Sequence, residues 1–191
     1  MRYWPQKKWK RVLLIVAVVL IITSFSTLAV ISYLINTDKV TQIEIINPKG
    51  VKNAIIFYHP GLSSFAHDIS YAFAEGLKVN DWRVEIATPS IEAPTNLSKY
   101  DLLVIASNTY GSNPDTPTTR HLERIGDLQG IQTVLITLGA GSAEQSKQVF
   151  EDLVKAQKGT IIGSLLLYSI APNEEGYSAT EIASQTAQQI K

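Results

Sequence analysis

The stretch Tyr100-Asp101-Leu102-Leu103-Val104-Ile105-Ala106-Ser107-Asn108-Thr109-Tyr110-Gly111-Ser112-Asn113-Pro114 (YDLLVIASNTYGSNP) decides the reading of this chain. Its first part, Tyr100–Ser107, is apolar with little alternation, the pattern of a strand buried on both faces of a parallel sheet. The remainder is small and polar, with Asn108 and Thr109 as turn residues. A strand buried on both faces needs neighbours, and the chain supplies them on either side. Asn53–Tyr58 (NAIIFY) is another continuous apolar run, whereas Trp82–Thr88 (WRVEIAT) alternates like a strand nearer a sheet edge. Gln132–Leu138 (QTVLITL) and Thr160–Tyr168 (TIIGSLLLY) complete five strands.

Helix-length stretches separate them. Ser64–Val79 places Phe65, Ile69, Ala72, Phe73, Gly76 and Leu77 at spacings of three and four, a helix with one apolar face. Thr118–Leu128, Ser142–Gln157 and Ser178–Ile190 read as further helices, while residues 89–99 hold two prolines and room for one helical turn. Strands alternating with helices imply right-handed crossovers and a parallel sheet covered on both sides. The expected fold is therefore α/β, a doubly wound five-stranded parallel sheet. Ligands bind such sheets beyond the carboxyl ends of the strands, where strand order reverses. The loops 58–64, 107–117 and 138–143 meet there, and all are rich in Gly, Ser, Thr, Asn or Pro.

Residues 53–190 resemble the flavodoxin-like family, most specifically in Tyr100–Pro114, which is similar to the family phrase YDLIVIGSPTYGGSP. Val134–Ser142 looks like the family's second flavin-contacting loop, and Val149–Leu153 with Gly159–Ser164 resembles the helix and strand that follow it. The resemblance implies strand order 2-1-3-4-5 and a site for flavin mononucleotide (FMN). It implies that Asn108, Thr109, Tyr110, Gly111, Gly139 and Gly141 flank the flavin ring, with Tyr110 stacking on it. Gly61, Ser63 and Ser64 would hold the phosphate at the start of a helix, where amides and the helix dipole favour an anion. Here the sequence departs from the family. Its phosphate loop reads Ser/Thr-x-Thr-Gly-x-Thr, whereas this chain has His59-Pro60-Gly61-Leu62-Ser63-Ser64. Pro60 removes one amide donor. One of the two serines simply capping the helix is the plainer reading, and it uses the same amides.

The N-terminal part is a separate matter. Arg2, Lys7, Lys8, Lys10 and Arg11 precede a segment, Val12–Thr37, without a charged residue. As a helix, Val12–Ile35 rises roughly 36 Å, enough to span a hydrocarbon core about 30 Å thick. That run is longer than the apolar part of a secretory signal. The expected organisation is a basic N-terminus at 1–11, a transmembrane helix at 12–36, a tether at 37–52 and the flavodoxin-like domain at 53–191. The basic excess before the span predicts a cytoplasmic N-terminus and a single-pass cell-membrane protein whose soluble domain lies on the outer side. Trp4, Trp9 and Tyr33 fall where aromatic rings favour the membrane interface. Residues 12–191 carry 12 basic and 17 acidic groups, which argues against a nucleic-acid partner. The lipid bilayer, through residues 12–36, is the expected partner, with a redox protein or quinone as a second.

Rival chemistries fail on specific residues. His59-Pro60-Gly61 resembles the oxyanion loop of α/β-hydrolases. However, Gly141-Ser142-Ala143-Glu144 lacks the second glycine of a nucleophile elbow, and no histidine follows His121 to serve as base. His67 with Asp68 has no third partner at metal-ligand spacing, so no metal site is expected. The three histidines read as surface or capping residues. There is no cysteine, hence no disulfide, zinc thiolate or iron–sulfur cluster. The leading expectation is a membrane-anchored flavodoxin-like protein that binds FMN and transfers electrons. The alternatives are a flavodoxin-fold module without flavin, serving binding or structure, and an FMN-dependent quinone reductase.

Overall fold

The computed structural model describes residues 7–174 and 176–191; Arg2 and Trp4 lie outside the described residues. The chain divides into two units, Met1–Asn36 and Thr37–Lys191. In the first, helix α1 (Lys8–Asn36) has a mean hydropathy of 2.8 over its most apolar window and buries no side chain. By length and composition it can cross a membrane. Three of its hydroxyls bond within the helix: Thr23 Oγ1 donates to Val19 O at 2.9 Å, Ser24 Oγ to Leu20 O at 2.8 Å and Thr27 Oγ1 to Thr23 O at 2.9 Å. Such bonds let polar side chains sit among apolar ones without unpaired donors.

The second unit, the body, is a sheet between two helix layers. Its strands are β1 (Glu44–Ile46), β2 (Lys52–Tyr58), β3 (Trp82–Ala87), β4 (Leu102–Tyr110), β5 (Asn113–Pro114), β6 (Gln132–Gly139) and β7 (Thr160–Tyr168). The sheet order is β1-β3-β2-β4-β6-β7, with β5 paired to β4. β3, β2, β4, β6 and β7 are mutually parallel, in the order 2-1-3-4-5 that the resemblance implies. Two short strands were not expected. β1, inside the segment read as a tether, runs antiparallel along β3 with Glu44 opposite Ile86, and β5 folds back on β4.

The buried strands place alternate residues on opposite faces. Ala54 and Ile56 of β2 and Val104 of β4 join one apolar cluster, with helices α2 (Phe65–Lys78) and α5 (Ala179–Gln188). Ile55 and Phe57 join another, with α3 (Thr116–Ile125) and α4 (Glu144–Ala156). Filling both faces is what makes these strands continuous apolar runs.

Segment 37–52 is held to the body at both ends of the sheet. At one end Arg120 Nη1 donates to Asp38 Oδ1 at 2.7 Å, the Thr88 hydroxyl donates to Lys39 O, and Thr41 Oγ1 lies 3.1 Å from Thr88 Oγ1. At the other end Gly50 lies so close to the chain at Trp82 and Arg83 that a Cβ would fall 2.3 Å from Arg83 N. The crossover from β3 to β4 carries no helix and is secured by charge instead. Buried Glu85 accepts from Arg83 Nη1 at 2.5 Å, from Lys99 Nζ at 3.1 Å and from the Tyr100 hydroxyl. Burial pushes the Glu85 carboxyl up, but those donations outweigh it and hold the group below the usual carboxylate range.

Candidate functional site

The parallel strands all end on one rim, so the loops after β2, β4, β6 and β7 converge there. β4 extends further than its apolar run suggests. Asn108 still pairs with Leu138 of β6, and Thr109 and Tyr110 pair with Pro114 and Asn113. Asn108 and Thr109 are thus strand residues, and the turn falls on Gly111 and Ser112, both left-handed at φ 56° and 64°. Two such residues make the hairpin turn whose twist suits flanking strands.

One carboxylate organises this hairpin. Asp115, fully buried, accepts from Ser107 Oγ at 2.9 Å, from Asn108 N at 2.8 Å and, as the cap of α3, from Thr118 N at 2.9 Å. Burial raises its pKa, opposed by the His59 charge and by these donors. Asn108 Nδ2 donates to His59 O at 2.7 Å and ties β4 to the loop after β2. His59 and His121 are buried, contrary to the surface or capping role expected of them. His59 Nε2 faces Thr37 O at 3.2 Å, and His121 packs its edge on Phe57 with ring centroids 4.5 Å apart. Both were misread because a histidine beside a turn or on a helix carries no burial signal of its own.

Of the residues expected around a ligand, Gly61, Asn108 and Tyr110 come together. Gly61 is left-handed at φ 66°, and a Cβ there would meet Asn108 Nδ2 at 2.9 Å and the Tyr110 hydroxyl at 3.0 Å. The Tyr110 phenol therefore leans from the β4 hairpin onto the loop after β2; burial, then Asp115, raises its pKa. A shallow cleft of about 180 Å³ opens beside them, lined by Leu62, Ser63, Asn108, Thr109, Tyr110 and Gly139, with Phe65, Leu138, Ala140 and Ser169. Ser169 was missed by sequence reading, although its place directly after a parallel strand signals the rim. Gly111 sits at the hairpin tip and Gly141 in the exposed loop after β6, neither of them lining the cleft.

The start of α2 is built differently from a hydroxyl-lined phosphate loop. Ser64 occupies the cap position in helical conformation without a capping bond, and its hydroxyl donates to Asp68 Oδ2 at 2.8 Å. Ser63 Oγ accepts from Phe65 N at 3.4 Å. Hydrogen bonds from His67 and Ser64 hold the Asp68 carboxyl below its usual range, so a negative charge stands in the first turn.

FMN can be tested against these residues. Thr109 Oγ1 is buried at the cleft without a hydrogen-bond partner, the kind of group that a bound ring with polar edges satisfies. Leu62, Phe65 and Leu138 offer apolar area, and Tyr110 an aromatic face. The residues fit the ring. The phosphate end fits less well, since Ser64 is engaged and Asp68 opposes an anion. Among the described residues no group of three or more His, Cys, Asp or Glu is placed to hold a metal ion.

No protein-family model matches this sequence, and no curated protein matches it. Solved structures match its fold. Two-electron reduced flavodoxin from Megasphaera elsdenii superposes with TM-score 0.59 at 10% identity, covering 71% of this chain and 98% of that one. Oxidised flavodoxin 2 from Bacillus cereus gives 0.58 at 18% identity, with 71% and 94% covered. Rubredoxin:oxygen oxidoreductase from Desulfovibrio gigas gives 0.61 at 14% identity, with 75% of this chain but 36% of that one. The body has the flavodoxin-like fold.

Proposed function

We propose that the body binds flavin mononucleotide at the rim where β2, β4 and β6 end and exchanges electrons there, tethered to a membrane by α1. The observation that carries the reading is the buried, unpartnered Thr109 hydroxyl in a cleft at the switch point of a flavodoxin-like fold. The neighbours' names support it, being those of flavodoxins in oxidised and two-electron reduced states. When bound, the flavin supplies the redox chemistry. Asn108, Thr109, Tyr110 and Gly139 would flank the ring, with Gly61, Ser63 and Ser64 towards the phosphate and Gly111 and Gly141 in the loops beyond the cleft. The chain's own part is to orient the ring and exclude water, and no side chain needs to move a proton. The basic residues before the uncharged segment that starts at Val12 support a cytoplasmic N-terminus with the body outside. The electron partner would be a redox protein or a membrane quinone, not a nucleic acid.

Titrating the detergent-solubilised full chain into FMN tests this. Saturable quenching of flavin fluorescence at micromolar protein is expected; none at tens of micromolar overturns the reading.

One feature favours a flavin-free module instead, the Ser64–Asp68 pair at the helix start. Replacing Asp68→Asn separates the two. If FMN binds, removing that charge tightens binding severalfold. Under the flavin-free reading neither protein binds.

A further inference from the structure

The two ends of the sheet differ in charge. At the rim, residues 59–64, 107–114 and 139–143 contain no Asp, Glu, Lys or Arg. At the opposite end, where strands begin, the connections hold Lys49, Lys78, Asp81, Lys99, Asp127 and Lys158. The rim also carries large apolar side chains at its loop tips: Leu62 after β2 is 55% exposed, Ile91 after β3 80%, and Ile170 and Tyr177 after β7 83% and 50%. Apolar exposure alone is ordinary. Val51 and Val79, at the charged end, are as bare. What distinguishes the rim is that four such side chains surround three central loops that contain no charged residue.

The body is also entered at this end. Thr37, the first residue of the body, has its carbonyl 3.2 Å from His59 Nε2 directly after β2, and Asp38 is gripped by Arg120 and Arg124. The residue before Thr37 is the last of an apolar helix long enough to span a bilayer. If that helix is an anchor, the chain runs from its last residue, Asn36, directly into Thr37 of the body.

We infer that the rim is a membrane-docking surface, with Leu62, Ile91, Ile170 and Tyr177 entering the lipid headgroup region. Exposed apolar side chains grouped around uncharged loops partition to the boundary between headgroups and acyl chains. The charges the rim does keep beyond its central loops include Glu92 and Glu174, so the matching lipid is zwitterionic rather than anionic. Because the cleft lies between Leu62 and Ser169, docking turns it toward the lipid phase, and a cofactor there would meet electron partners soluble in lipid. The inference rests on the anchor reading of α1 and not on flavin binding.

The chain has no cysteine, so single labels can be placed cleanly. Full-length Ile91→Cys, Ile170→Cys and Val79→Cys variants would each carry a nitroxide and be reconstituted in phosphatidylcholine vesicles at about one chain per vesicle. Flotation with vesicles after alkaline washing reports the anchor. Collision with oxygen, which concentrates in lipid, against a water-soluble nickel chelate reports docking. The expected result is an oxygen-to-nickel ratio severalfold higher at positions 91 and 170 than at 79, lost in detergent. Equal ratios at all three positions in floating vesicles overturn docking alone, and they would leave a protein partner as the occupant of the rim. A chain that fails to float overturns the anchor and docking together.

Discussion

The end of the sheet where strands begin and the end where they finish are built on opposite principles. The first is charged and structural. Lys158 Nζ pairs with Asp127 Oδ2 at 2.6 Å, Asp101 Oδ2 accepts from Asn53 N at 2.9 Å, and Gly50 presses on the backbone of Trp82 and Arg83. It also holds the larger hollow, about 950 Å³, an open space lined by polar and charged residues such as Lys52, Asp101, Asp127 and Lys191. The second end is uncharged in its central loops, with a smaller cleft beside an unpartnered hydroxyl. Volume alone would choose the end where strands begin, away from the site proposed here. Convergent loops beyond the carboxyl ends of the parallel strands distinguish the rim; an unpartnered buried group alone does not, since Trp82 Nε1 beside the larger hollow is another.

Four substitutions probe that contrast, from large effect to small. Gly50→Ala forces a Cβ against backbone that cannot yield, so the fold should lose about 3 kcal/mol in chemical denaturation. Any FMN affinity of the folded fraction should stay unchanged. Asp115→Ala strikes the rim, stripping acceptors from Ser107, Asn108 and Thr118; a loss of about 2 kcal/mol is expected, together with weaker FMN binding as the hairpin loosens. Unchanged stability would deny Asp115 its organising role.

His121 lies in the core between the ends, where burial first and the Arg124 charge second depress its pKa to about 4. An unfolded histidine takes up its proton near pH 6.5, before the folded one does. Stability should therefore fall as pH drops from about 6.5 toward 4. His121→Gln should flatten that part of the denaturation profile; an identical slope would assign the loss elsewhere. Thr109→Val has the smallest expected effect, with opposite signs. It removes an unpartnered buried hydroxyl, so stability should hold or rise by up to about 1 kcal/mol, while FMN affinity drops roughly fivefold if the flavin uses that group. Affinity unchanged by the valine would detach Thr109 from the ligand.

The sequence spoke most clearly where burial dictated composition. Continuous apolar runs at Asn53–Tyr58 and Tyr100–Ser107 located β2 and β4, and Thr160–Tyr168 matches β7 at both ends. β1 showed only as the short alternating piece Val40–Ile45 within the tether, with its partner unreadable, because three residues on one edge, two of them exposed, leave little pattern. The start of α3 was placed two residues late at Thr118, since the Asp115 cap followed by Thr116 and Pro117 was read as loop. In the site, residue types were visible but their engagements were not. Nothing in His-Pro-Gly-Leu-Ser-Ser discloses that Ser64 turns to Asp68 or that Tyr110 leans on Gly61, because those contacts depend on rotamers and on pairs distant in the chain.

The division of labour between the two ends can be tested most directly by amide hydrogen exchange on the full chain, with and without saturating FMN. Added protection is expected in 59–64, 107–112 and 139–143 and none in 47–52, 95–101 or 127–131. Protection confined to the charged end, or spread equally over both, would contradict it.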